Sequence, residues 1–367
     1  MKVLVAVDSF KGTLTSQKIA SLFKQHMGNG EHTFDLIPIG DGGEGTVDSL
    51  HVATQGEKVH LKVKGPFCKE VDTYYVLSPN KKTAMIEIAL SSGLGRIPKK
   101  DLNPYETTTY GLGETIHHAL DQGVTELIVG IGGSSTNDGG AGMLQALGVG
   151  FFDKDGLEIK NMTGHTIGLV DKIDISGLDN RIKKVHIKVA CDVDNPLLGA
   201  RGCAEVYSRQ KGASEEMVLE LEKNMNHYAN IVEKTIQTDF RNYPGTGAAG
   251  GLGFGLVAFL SAYLMSGLDI VADATDLTKR IKQADLVITG EGHFDNQSLH
   301  GKVPVKVAQI ARDNNKRILG VFALSSISKK PELFDQIYTV VPVFASKEES
   351  LKSPEEALTK LIKSIEV

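Results

Sequence analysis

The sequence predicts an α/β fold: a doubly wound, mostly parallel sheet domain with a second α/β domain inserted into it. Three observations carry that reading. Short apolar runs repeatedly end in a glycine-bearing loop and continue into a helical pattern, the alternation expected of a parallel sheet. Two stretches, Val59 to Ile97 and Phe151 to Arg280, break this rhythm. The length of 367 residues is long for one core and comfortable for two.

The elements follow in chain order. Lys2 to Val7 reads as a strand rather than a leader peptide, since it lacks a long apolar core and a cleavage site. Asp8-Ser9-Phe10-Lys11-Gly12 follows, then a helix from Ser16 to Met27 with Ile19, Leu22, Phe23 and Met27 on one face. Phe34 to Ile39 is a second strand, and Gly40-Asp41-Gly42-Gly43-Glu44-Gly45-Thr46 leads from it into a helix. Val59 to Ile97 reads as several strands with turns such as Ser78-Pro79-Asn80. Glu126 to Ile131 leads into Gly132-Gly133-Ser134-Ser135-Thr136-Asn137-Asp138-Gly139-Gly140 and a helix ending near Leu147.

Further along, Lys184 to Cys191 is a strand, and Ser214 to about Ile236 is a long amphipathic helix. Asp285 to Thr289, Arg317 to Ala323 and Gln336 to Val341 complete the strands. Ser353, Pro354 and Glu356 fit the start of a C-terminal helix with a capping box. The domain reading assigns 1–58, 105–148 and 283–367 to the first domain, and 59–104 with 149–282 to the inserted one.

Composition narrows the function. Apolar residues make up 41% and charged residues 23%, ordinary for a soluble globular protein. A formal charge of −5, from 40 basic and 45 acidic residues, gives no basic stripe for a nucleic acid. Asn242 to Leu268 carries no formal charge, but glycine and alanine fill its first half, and it reads as a buried helix rather than a membrane span. Cys68, Cys191 and Cys203 are scattered, without metal spacing, as in a reducing compartment. A cytoplasmic protein follows, with room for a homo-oligomer.

In a parallel sheet, ligands sit at the carboxyl ends of the strands, where the glycine-bearing loops lie. Bare backbone lets N–H groups approach an anion, and a following helix adds its positive end. Gly132 to Asp138 suits a phosphate or carboxylate cradle; Thr136, Asn137 or Asp138 equally suits a helix cap. The P-loop pattern and the protein-kinase signatures are absent. Gly245-Thr246-Gly247-Ala248-Ala249-Gly250 has dinucleotide spacing but follows Asn242-Tyr243-Pro244 instead of a strand; it reads as a glycine-rich helix start able to face an anion.

Acidic residues follow the strands: Asp8, Asp41, Asp192 with Asp194, and Glu291 with Asp295. Phosphoryl transfer uses carboxylates to hold Mg²⁺ and to accept a hydroxyl proton. Lys11 and Lys302 suit phosphate or carboxylate charge. Asp41 with Glu44 also fits a capping box, and Asp192 with Asp194 an Asx turn.

Taken together, these motifs resemble the type I glycerate kinase family. The resemblance runs through Asp8 to Gly12, Gly40 to Thr46, Thr107-Thr108-Thr109-Tyr110-Gly111 and Gly132 to Gly140. It continues in Cys191-Asp192-Val193-Asp194-Asn195-Pro196-Leu197, Gln210-Lys211-Gly212, Gly247 to Gly253 and Thr289 to Gly292, with Asp295, Gln297, Gly301, Lys302 and Pro304. It implies a two-domain α/β enzyme with its active site in a cleft between the domains, and ATP-dependent, Mg²⁺-dependent phosphorylation of D-glycerate, giving 2-phosphoglycerate or, alternatively, 3-phosphoglycerate. A related small hydroxy acid is the other alternative. The family usually carries an arginine near His293, a glycine near Asn296 and a glycine-bearing turn where this chain has Leu324 to Ser328.

On this reading Asp192, Lys11 and Asp8 are the catalytic candidates, Asp192 orienting or deprotonating the attacking hydroxyl. Asp41, Glu291 and Asp295 are the metal candidates. Ser9, Lys11, Gly132, Gly133, Ser134, Ser135, Thr136, Asn137, Asp138, Gly250, Gly251 and Lys302 are the candidates for substrate or phosphate.

Overall fold

A computed structural model describes residues 1–27, 30, 32–39, 45–296, 298–300, 302–327 and 330–366. Asp41, Glu44, Gln297, Gly301 and Ser328 lie outside the described residues. In chain order the strands are β1 (Lys2–Val7), β2 (Thr33–Pro38), β3 (Glu57–Lys64), β4 (Glu70–Leu77) and β5 (Thr83–Glu87). They continue with β6 (Glu126–Gly130), β7 (Gly150–Phe152), β8 (Lys172–Asp174), β9 (His186–Ala190) and β10 (Tyr263–Met265). The last are β11 (Leu286–Phe294), β12 (Arg317–Ser325) and β13 (Gln336–Thr339).

The chain divides into two compact units. One comprises Met1–Asp41, Asp48–Gln55 and Val271–Val367; the other comprises Gly42–Val47 and Gly56–Ile270.

The first unit holds a five-stranded sheet in the order β13-β12-β11-β1-β2. All four pairings are parallel. Val3, Val5 and Val7 share a core with the helices Ser16–His26 and Pro354–Lys363. Leu4 and Ala6, which strand alternation turns to the other face, are equally buried. The helix Val303–Asp313 packs on β11 and β12. Both faces of the central strand β1 are covered, so it is apolar from Val3 to Val7, as in a doubly wound sheet. The predicted face of the first helix holds: Ile19, Leu22, Phe23 and Met27 are all buried. Thr15 caps that helix by accepting from the Lys18 backbone N–H.

From β1 the chain runs outward to β2 on one side, then returns through β11 to β12 and β13 on the other. The strand order therefore reverses between β1 and β11, which is where an open α/β sheet forms a crevice at its carboxyl edge.

The second unit holds a six-stranded sheet in the order β10-β9-β6-β5-β4-β3. β3, β4 and β5 run antiparallel; β5, β6, β9 and β10 run parallel. Glu87, Gly130 and Ala190 are in register and Met265 pairs with Ala190, so four loops leave one edge side by side.

Three expectations are corrected. Residues 105–148 were expected in the first domain, yet β6 hydrogen-bonds β5 and β9 and belongs to the second sheet. Residues 271–282, expected in the inserted domain, lie with the first unit. Local sequence marks a parallel strand without marking its neighbours. Ser353 was expected to cap the last helix through a capping box, but its side chain makes no cap bond. The box lies one helix earlier: Ser346 accepts from Glu349 N, and the Glu349 carboxylate accepts from Ser346 N.

The uncharged stretch from Asn242 to Leu268 is broken into the helix Ala248–Leu260 and the strand β10. Among the described residues no helix is long and apolar enough to cross a membrane.

Candidate functional site

The predicted site residues fall into two groups, one on each sheet. In the first unit, Asp8, Ser9 and Lys11 follow β1, while Glu291, Asp295 and Lys302 lie on or after β11. These are the two strands at which the sheet order reverses. The Asp8 N–H donates to the Gly290 carbonyl at 2.9 Å, joining the loop after β1 to β11. Asp8 is buried, and its Oδ1 accepts from Ser9 N at 2.6 Å. Gly292 lets the loop lie close: a Cβ there would stand 3.2 Å from Phe10 Cα and 3.4 Å from Lys11 N.

Glu291 is buried, and its Oε1 has no hydrogen-bond partner among the described residues. Its other oxygen lies 3.8 Å from the Lys302 ammonium, which is also 3.8 Å from Asp295 Oδ1. Burial pushes the Glu291 carboxyl up; Ser298, Lys302 and Lys11 pull it down, and Asp295 raises it again. A carboxylate oxygen held dry and without a donor is a costly arrangement that a cation would relieve. Among the described residues no three His, Cys, Asp or Glu side chains converge as a metal site. Asp41, the third expected metal residue, lies outside the described residues.

In the second unit, the loop after β6 proves to be mostly interior. Gly133 is exposed and Gly132 half-buried, but Ser134 through Asp138 are buried. Asp138, at 0% exposure, accepts from Thr109 N and Thr109 Oγ1, each at 2.8 Å, and from Gly140 N and Gly142 N at 3.1 and 3.2 Å. Thr109 Oγ1 in turn accepts from Met143 N at 2.8 Å. This carboxylate thus ties the start of the helix Tyr110–Asp121 to the start of Ala141–Ala146. Burial pushes its pKa up against those four donors. Ser135 Oγ donates to the Ser92 carbonyl at 2.8 Å. Thr136 Oγ1 and both polar atoms of Asn137 are buried without a partner among the described residues.

Gly250 and Gly251, expected to face an anion, are buried and serve packing. Gly250 takes φ +68, and a Cβ on it would stand 2.0 Å from the Thr136 carbonyl oxygen. A Cβ on Gly251 would stand 2.9 Å from Gly139 Cα. The Gly139 N–H donates to the Gly250 carbonyl at 3.0 Å, so the two glycine runs clasp each other.

Asp192 follows β9 and is exposed; its Oδ1 accepts from Gly267 N at 3.1 Å, at the start of the helix Gly267–Ala274. The carboxylate therefore caps a helix and remains reachable from solvent. Asp194 pairs with Arg201 at 2.5 Å on the surface.

One residue escaped sequence reasoning. Lys211, 2% exposed, donates to Ser134 Oγ at 3.0 Å and to the Thr136 carbonyl at 2.6 Å. Burial lowers its pKa to about 8, while Cys203 and Asp138 raise it. The signal available is a lysine between Gln210 and Gly212 in a shared motif; a loop lysine is ordinarily solvated, and nothing local marks this one as buried.

A model of the glycerate kinase family matches residues 3–366 of the chain. Glycerate 2-kinase of Escherichia coli (strain K12) is 45% identical over 325 residues, covering 88% of this chain and 84% of that protein. Glycerate kinase of Bacillus cereus is 43% identical over 372 aligned positions, covering 100% and 97%. A crystal structure provisionally described as glycerate kinase 2 from Salmonella typhimurium LT2 superposes with a TM-score of 0.88 at 41% identity, covering 99% of this chain and 96% of that one.

Proposed function

The chain belongs to the glycerate kinase family, and from that premise we propose that it transfers the γ-phosphate of ATP to D-glycerate, giving 2-phosphoglycerate and ADP. The observation that carries the reading is the set at the β1/β11 reversal: Asp8 and Lys11 after β1, Glu291 on β11, and Asp295 and Lys302 after it, on two adjacent strands and the loops that leave them. A crevice with ammonium groups and partly dry carboxylates suits a metal-bound polyphosphate.

Glu291, with its orphaned buried oxygen, and Asp295 fit the hard oxygen donors that Mg²⁺ takes, and Asp41 completes the proposed set. Bound there, Mg²⁺ would neutralise charge on the transferring phosphoryl group. Lys11 and Lys302 meet phosphate oxygens as point charges. Ser9 adds a hydroxyl donor, and Asp8 keeps the loop after β1 in place by accepting from Ser9 N. In the second unit the accessible Gly132 and Gly133 offer backbone N–H groups to an anion, a glycerate carboxylate or a phosphate, with Ser134 beside them. Asp192, exposed at the end of β9, accepts the proton of the attacking hydroxyl. Asp138, through its carboxylate, and Thr136, through its carbonyl, act behind the surface by holding that loop, with Asn137 buried between them.

The test is a ³¹P NMR assay with Mg-ATP and D-glycerate. A 2-phosphoglycerate signal is expected. A 3-phosphoglycerate signal would keep the kinase and change the hydroxyl; turnover only with another small hydroxy acid would change the substrate. The same reading places the protein in the cytoplasm, acting on small molecules without nucleic acid or membrane, and leaves room for a homo-oligomer.

A further inference from the structure

We propose that Lys211 is a positioning residue for the anion loop after β6: it presents the Ser134 hydroxyl as a donor to a carboxylate or phosphate oxygen and lends that loop its positive charge. The inference deepens the proposed function and rests on it for the identity of the anion.

The argument begins with cost. An ammonium is among the groups least often buried, and burial is tolerated when a carboxylate pairs with it. Among the described residues no carboxylate lies within ion-pair distance of Lys211. It spends two of its three protons on a single loop instead, one on Ser134 Oγ at 3.0 Å and one on the Thr136 carbonyl at 2.6 Å. The short turn Arg209–Lys211 holds the side chain there, and Gly212 closes it at φ +99, with the Leu102 carbonyl oxygen 2.3 Å from where a Cβ would stand.

The consequence is directional. A hydroxyl has one proton and two lone pairs. Ser134 Oγ receives a bond from Lys211, so its own proton is left to donate, and no acceptor for it is present among the described residues. Next in the chain, on the accessible side, stand Gly133 and Gly132 with bare backbone. A buried positive charge behind a loop of N–H and O–H donors is arranged for an anion. Asp138 does not cancel it by contact, since its oxygens are engaged by Thr109, Gly140 and Gly142.

The experiment compares wild type with Lys211→Met, Lys211→Arg, Ser134→Ala and the Met/Ala double variant. KM for D-glycerate and for Mg-ATP are measured separately, and thermal unfolding checks folding. Expected is a rise of tenfold or more in one KM for Lys211→Met, recovery to within about threefold in Lys211→Arg, and a double variant little worse than the worse single one. The KM that moves tells whether the loop takes the carboxylate or the phosphate. Folded Lys211→Met with both KM values unchanged, or strictly additive single effects, would overturn the inference and leave the kinase reading intact. If the wild type turns over no glycerate, the kinase reading fails, and hydrogen exchange at residues 132–136 decides the inference alone. Faster exchange in Lys211→Met supports it, and unchanged exchange overturns it. Should Lys211→Met not fold, the KM of Ser134→Ala decides in the same two directions.

Discussion

The two sheets of this protein end in loops of opposite kind. At the β1/β11 reversal of the first unit, the charges are loosely paired: Lys302, its side chain 43% exposed, stands 3.8 Å from buried Glu291 and 3.8 Å from Asp295. After β6 in the second unit, the charges are sealed: Asp138 and Lys211 are 0% and 2% exposed, each holding backbone through short hydrogen bonds. Loose and exposed charges can change partners when a ligand arrives. Sealed ones cannot, and act by fixing what lies in front of them. How fully a group's hydrogen-bonding capacity is already used, more than its residue type, therefore separates groups that touch a ligand from groups that hold the loop.

The largest expected effect falls on an exposed residue. Asp192→Asn keeps an acceptor oxygen for Gly267 N, so the helix cap survives and the melting temperature stays near wild type. Loss of the proton acceptor should lower kcat by about 10²–10⁴-fold. Steady-state kinetics beside a thermal melt checks both halves. Near-wild-type kcat would reduce Asp192 to a cap.

The next effect is the reverse in kind. Asp138→Ala removes four accepted hydrogen bonds from a buried position and leaves Thr109, Gly140 and Gly142 donors unpaired. A loss of about 3–5 kcal/mol is expected by urea unfolding. A loss under about 1 kcal/mol would mean that the sealed loop is not held as described.

Lys211 adds a pH dependence to the same region. Its folded pKa, near 8, lies below the 10.5 of an exposed lysine. Between those values the unfolded chain binds more protons, so stability rises with pH, and below about pH 8 the cost of the buried ammonium is fully present. The rise from pH 8 to 10.5 corresponds to roughly 3 kcal/mol at most. Cys203 and Asp138 face the same amine and raise its pKa, so the increment is read as the difference between wild type and Lys211→Met in urea unfolding across that range. A difference independent of pH would show that the amine is not buried in its charged form.

Much of this was legible in the sequence, for physical reasons that also mark where legibility ended. Strand-loop-helix order placed β1, β6, β9 and β11 and the loops that follow them, because apolar runs and glycines are local signals. Asp138 was visible as a helix cap, since Asn137-Asp138-Gly139-Gly140 precedes a helix. The membership of β6 was hidden, because sheet order is set by long-range packing. So was the packing role of Gly250, whose neighbour Thr136 is more than a hundred positions away. Lys211 was hidden for the same reason: its partners Ser134 and Thr136 are remote in sequence.

The smallest expected effect sharpens the comparison at the open edge. Burial raises the pKa of Glu291, so the folded state disfavours its ionised form, and stability falls as pH rises through the carboxylate range. Glu291→Gln removes that cost. Without metal, the variant should gain about 1 kcal/mol or less, the gain often found when a strained functional group is neutralised. With Mg²⁺ and ATP, wild type should be stabilised by ligand and the variant less so, by mass action. Thermal shift with and without Mg-ATP reads both. If Glu291→Gln is destabilised without ligand and retains the full Mg-ATP shift, the carboxylate belongs with the sealed groups, and the metal assignment passes to Asp295 and Asp41.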